Sequence, residues 1–170
     1  MNKTHGRGQR VLAAYPTRIG FGYALYNDDT LEDWGIKWAA KGEEKNKVCV
    51  RKFKQLIEDC RPDILILEYI PDELNERRKR VAELINALGQ IARVNHIRLF
   101  RYSRGEIKQA FEKHGITTKQ AIAEKIGDMT PELQSLVPPP RKLWDPEPDA
   151  MTYFSAVSLI LTYFQFAGRE

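Results

Sequence analysis

Asp63-Ile64-Leu65-Ile66-Leu67-Glu68 constrains the fold of this chain more than any other segment. Its four consecutive branched apolar residues do not alternate with polar ones, so they do not suit a strand with one wet face. A continuous run of that length fits a strand covered on both sides. Such a strand belongs in a sheet with helices on both faces. Glu68 closes the run and so aims a carboxylate off the end of a buried strand.

The rest of the chain agrees with one such sheet. With 170 residues, 42% of them hydrophobic, it can bury one full core. Val11–Tyr15 and Gly20–Tyr26 read as strands joined by a Pro16-Thr17-Arg18 turn. After Asn27-Asp28-Asp29-Thr30, the alternation of Trp34, Ile36 and Trp38 predicts a third strand over Leu31–Trp38. Together these make an antiparallel meander. Glu43–Cys60 has helical spacing and is stopped by Arg61-Pro62. The buried strand follows, then a helix over Leu74–Asn95 and a strand over Ile97–Tyr102.

Ser103 with Glu106 three residues later is a capping-box signature for a helix over Arg104–Lys113. Thr117 or Thr118 caps the next helix, Lys119–Ile126, which Gly127 is expected to end. A Pro-rich loop with a short helical turn spans Met129–Trp144, and a last helix runs from about Pro148 to Phe166. No internal repeat or long linker divides the chain. Residues 1–10 are expected to be a flexible basic tail without a signal-peptide core, and 11–167 a single domain.

Charge and cysteines bound the function. Lys and Arg number 27 against 23 Asp and Glu, a net charge of +4, which permits phosphate binding without requiring it. Cys49 and Cys60 fall on one predicted helix and cannot bridge if it is regular. Neither belongs to a CxxC pair, which argues against zinc, and a reduced, cytoplasmic compartment is expected. Met151–Ala167 is apolar enough to suggest a membrane anchor. However, Thr152, Ser155, Ser158, Thr162 and Gln165 interrupt it, and a buried helix is the better reading, with no membrane partner.

The chemistry lies in how the acids are spaced. If the first strand lies beside the buried one, Tyr15 and Glu68 come together at strand ends. The start of the last helix then brings Asp145, Glu147 and Asp149 over them. Carboxylates so gathered suit magnesium, and two such ions can clamp the attacking and leaving oxygens of a phosphodiester.

The element order, Glu68 after Ile64–Leu67, and Asp145–Ala150 before the final helix resemble the RuvC-type Holliday junction resolvases of the ribonuclease H-like superfamily. Tyr15–Tyr23, Tyr102–Lys108 and Thr117–Gln120 resemble matching segments of that family, and the likeness spans about Val11 to Phe164. It implies a mixed five-stranded α/β sheet, a three-strand antiparallel meander plus two parallel strands, with helices on both faces. It also implies a homodimer acting on DNA, four-way junctions included, with Mg2+ or Mn2+ as cofactor. Glu68, Asp145, Glu147 and Asp149 are the implied metal ligands, and Arg104, Lys108 and Lys119 the implied phosphate contacts. Lys108 would also stabilise charge in the reaction.

The chain departs from the family at two ligand positions. Tyr15-Pro16-Thr17 stands where the first carboxylate is expected, and a phenol, protonated at neutral pH, is a poor magnesium ligand. Pro146 stands three residues before Asp149, where the family has Asp. Two main functions follow: a metal-dependent nuclease for branched DNA, or a non-cleaving relative that binds DNA or serves a structural role. A ribonuclease H-like activity on RNA is a third.

Each candidate also has a plain structural reading. Asp149 suits the positive end of a helix, and Arg104, Lys108 and Lys119 suit a solvated face. The run Glu76–Arg80 could contact a backbone phosphate but suits an exposed helix, and His114 suits a helix C-terminus. Trp34, Trp38 and Trp144 read as core or interface anchors rather than base-stacking platforms.

Overall fold

The computed structural model describes residues 8–40, 44–71, 78–113 and 115–167. The five strands are β1 (Arg10–Thr17), β2 (Gly20–Asn27), β3 (Thr30–Trp38), β4 (Ile64–Tyr69) and β5 (Arg98–Ser103). They form one sheet in the order β3-β2-β1-β4-β5. β1, β2 and β3 pair antiparallel, while β4 runs parallel to both β1 and β5. This is the mixed sheet expected from the sequence. β1 takes in Arg10, whose N–H donates to Asp63 Oδ2 at 2.9 Å and whose Nε donates to the Cys60 carbonyl.

The helices are α1 (Lys45–Cys60), α2 (Lys79–Val94), α3 (Arg104–Glu112), α4 (Lys119–Met129), α5 (Pro131–Gln134) and α6 (Met151–Ala167). Strand alternation divides the core in two. Leu12, Ala14, Leu65 and Leu67 face α1 and α2, where they meet Phe53, Leu56, Leu84 and Leu88. Val11, Ala13, Ile64 and Ile66 face the other way, toward Phe154, Val157 and Ile160 of α6. Leu65, Ile66 and Leu67 are fully buried, as a strand covered on both faces requires. Each such side chain contributes about 2 kcal/mol of burial.

Several ends follow local chemistry. Pro62 disfavours helical backbone before it. Arg61 turns left-handed instead (φ 47°), and its N–H donates to Ile57 O. Ser103 and Glu106 form the full capping box on α3, and Thr118 caps α4 through Ala121 N–H. Gly127, expected to end α4, lies inside it. A Cβ there would fall 2.3 Å from Val137 Cγ2, so this glycine serves close packing rather than termination. The expected start of α2 near Leu74 lies outside the described residues.

Cys49 and Cys60 are free and buried on α1, and burial pushes both thiols up, away from thiolate reactivity. In α6, Ser158 Oγ donates to Ser155 O at 2.6 Å and Thr162 Oγ1 to Ser158 O at 2.7 Å. Those bonds let the helix bury its hydroxyls at little cost. Among the described residues no helix is long and apolar enough to cross a membrane.

Candidate nucleic-acid interface

The sheet register assembles the site. Ala13 pairs with Ile66 across β1 and β4, and continuing that register by two residues sets Tyr15 beside Glu68. Both side chains share the α6 face by alternation, and both line one cleft with α3, α4 and α6. The start of α6 is pinned over it. A Cβ on Gly22, the β2 partner of Tyr15, would fall 2.3 Å from Thr152 O, so the helix backbone rests directly on the strand. That close approach carries Glu147 and Asp149 to the cleft wall, beside Arg18, Arg104 and Lys119.

Glu68 is 2% exposed, and its carboxylate is gripped from one side. Arg78 Nη1 donates to Oε1 at 2.9 Å and Nη2 to Oε2 at 3.1 Å, a two-pronged fork. Burial alone would lower the Arg78 guanidinium, but Glu68 and then Tyr15 outweigh it, and its pKa lies above the ordinary arginine value. A buried carboxylate without a partner would cost several kcal/mol, and Arg78 removes that cost. Arg80 is also committed internally, donating to Thr17 O at 2.9 Å and to Asn46 Oδ1 at 3.1 Å. Lys79 between them is exposed. Glu76, Arg77 and His114 lie outside the described residues.

The helix side of the cleft is cationic and exposed to solvent. Arg104 opens α3 behind its Ser103 cap, and Lys108 follows one turn later, both exposed. Lys119 opens α4, donates to Glu147 Oε1 at 3.0 Å, and sits 5.7 Å from the Tyr15 ring centroid, a cation–π distance. Asp149 is exposed in the turn before α6, and its carboxylate has no partner among the described residues. Asp145 lines neither wall of the cleft. Its Oδ2 accepts from Lys142 N–H at 3.0 Å, so it closes its own turn instead.

The structure therefore sets Tyr15, Glu68, Arg104, Lys108 and Lys119 around one pocket, sets Glu147 and Asp149 on an adjoining pocket that shares Tyr15, Arg104 and Lys119, and leaves Asp145 apart. Sequence reasoning missed Arg18, and it read Arg78 only as part of the Glu76–Arg80 run and not as the partner of Glu68. As they stand, these residues do not fit a magnesium or manganese ion. Both Glu68 oxygens are taken by a guanidinium, and among the described residues no three His, Cys, Asp or Glu side chains cluster.

Known proteins add the fold. No protein-family model and no curated protein matches this chain. Thermus thermophilus RuvC in complex with a Holliday junction substrate aligns with TM-score 0.70 at 15% identity, over 95% of this chain and 96% of that one. The chain has the ribonuclease H-like fold of RuvC. A second Thermus thermophilus RuvC structure aligns with TM-score 0.66 at 15% identity, over 94% and 95% of the two chains. The yeast mitochondrial Holliday junction resolvase gives 0.62 at 13%, over 99% of this chain and 84% of that one. Identities this low carry the architecture and leave the function to the site.

Proposed function

We propose that this protein binds branched DNA through the cationic cleft and does not cleave it. The observation that carries this reading is the Arg78 fork on Glu68, which places a fixed positive charge where a hydrolytic site would hold its metal. Around it, Arg18, Arg104, Lys108 and Lys119 supply the charges that phosphates seek. The solved relative that holds a Holliday junction supports four-way DNA as the substrate shape. A homodimer would present two such clefts to one junction.

A second reading is magnesium-dependent hydrolysis, favoured by Glu68 lining one pocket and Glu147 and Asp149 an adjoining one that shares Tyr15, Arg104 and Lys119. It requires Arg78 to release Glu68. One experiment separates the two: four-way junction and matched duplex, incubated with the protein in Mg2+ or Mn2+, scored for binding and for strand cleavage. Tight junction binding with intact strands is expected. Cleavage that disappears in Glu68→Gln would establish the hydrolase, and equal affinity for junction and duplex would reject both readings.

A further inference from the structure

The segment entering α6 carries the two most exposed large apolar side chains among the described residues, Leu143 at 100% and Trp144 at 78%. That exposure removes Trp144 from the core, where the sequence had allowed it. The pair is held out on a closed turn. Asp145 N–H donates to Lys142 O at 3.0 Å, Lys142 N–H donates back to Asp145 Oδ2 at 3.0 Å, and Arg141 donates to the Asp145 carbonyl. These bonds fix the backbone without giving either apolar side chain a place to bury. Lys142 Nζ stands 5.2 Å from the Trp144 ring centroid, so the indole is presented beside a cation. Glu147 and Asp149, two and four residues past the turn, line the cleft with Arg18, Arg104 and Lys119. The tip thus stands close in sequence to the rim of the cationic cleft.

We propose that Leu143 and Trp144 form a wedge that enters branched DNA at its opened base step, with Trp144 stacking on an exposed base. Arg141 and Lys142 then lie against the flanking phosphates. This rests on the branched-DNA reading above and adds a specificity determinant to it. Aromatic side chains stack on any base face, and apolar wedges enter where bases unstack most easily. A branch point offers such a step and an intact duplex does not. Charge favours nucleic acid over a second copy of this chain as the occupant. The turn carries Arg141 and Lys142 on a protein of net charge +4, which repels its own kind and attracts phosphate.

The test uses the full chain, a four-way junction with 2-aminopurine at the branch point, and a matched duplex. Wild type is compared with Trp144→Ala, Trp144→Phe and Leu143→Ser, all expected to melt as wild type because the side chains are exposed. Wild type should prefer the junction and quench 2-aminopurine on binding. Trp144→Ala should lose the quench and about tenfold in junction affinity, with duplex affinity unchanged. Trp144→Phe should keep part of both. A junction preference undiminished in Trp144→Ala overturns the wedge and leaves the branched-DNA reading standing. A wild type that does not prefer junction over duplex overturns both. Loss of self-association in Trp144→Ala by sedimentation velocity, with junction affinity intact, makes the tip a protein–protein contact and also overturns the wedge.

Discussion

At the strand ends of the cleft, Tyr15 and Glu68 are 5% and 2% exposed, and Arg78 grips both Glu68 oxygens. On the helix side, Arg104, Lys108 and Lys119 stand in solvent, and among the described residues only Lys119 of the three holds an ion pair, itself exposed. The same cleft is thus built of one sealed half and one open half. Charges in the sealed half satisfy each other and contribute to the fold. Charges in the open half are free to meet a polyanion. A metal-dependent site would need the reverse at Glu68, a buried carboxylate with its oxygens left unpaired.

Breaking the sealed half should give the largest effect. Arg78→Ala leaves Glu68 buried without a partner and should cost about 3 kcal/mol, seen as a fall of about 10 °C in Tm. The double variant Glu68→Met with Arg78→Met should recover most of it, because it buries no charge. A loss under about 0.5 kcal/mol, as at an ordinary surface site, would show that the fork is loose and the two halves alike.

The joint between the halves comes next. Gly22→Ala places a Cβ 2.3 Å from the Thr152 carbonyl oxygen, and the obstacle is helix backbone, which cannot rotate away. The start of α6 must lift, at a cost of about 2 kcal/mol by urea unfolding. Junction affinity should fall with it, since the Leu143–Trp144 tip rides on the segment that enters this helix. Normal stability would mean that α6 is not seated on β2 as described.

Much of this arrangement could be read in the sequence. The unalternating run at Ile64–Leu67 announced a doubly covered strand, and strand adjacency placed Tyr15 beside Glu68. Ser103 and Thr118 announced the helices that carry Arg104 and Lys119. Arg78 could not be read in this way. It lies within the Glu76–Arg80 run of charges, which looks like an exposed helix face, and no spacing rule ties it to a carboxylate ten residues earlier. A signal was nonetheless present, since a glutamate on a buried strand beside a tyrosine needs a cation from somewhere. Asp145 misled through proximity in sequence to Glu147 and Asp149, because a side chain that closes its own turn looks the same in sequence as one aimed at a cleft. Gly127 misled because a glycine that admits a neighbouring valine cannot be told from one that ends a helix.

Alkaline titration separates the cleft from the meander. Burial, then Asp33, pushes Tyr23 up from 10.0 to about 12, and burial chiefly does the same for Tyr26. A raised phenol contributes stability that is complete below its unfolded value near 10 and is lost as pH rises toward 12. Stability should therefore fall between pH 10 and 12, and Tyr23→Phe and Tyr26→Phe should each flatten that fall. The Glu68–Arg78 pair should not contribute in this window, because Arg78 is itself raised. An unchanged alkaline slope in both phenylalanine variants would move the titrating groups elsewhere.

The open half should show the smallest stability effects and the clearest binding effects. Arg104→Ala and Lys108→Ala remove exposed side chains and should each change stability by less than about 0.5 kcal/mol. Lys119→Ala gives up one exposed ion pair, worth under about 1 kcal/mol. If these cations meet phosphates, each substitution weakens junction and duplex alike and lowers the slope of log affinity against log salt by about 1. That signature is specific to charge released on binding. A variant that merely misfolds loses affinity through its inactive fraction and keeps the slope. Titrating DNA binding of the three variants from low to moderate salt thus reads out the open half alone. A slope unchanged in all three would place the phosphate surface away from this cleft and leave its basic residues as ordinary solvated charge.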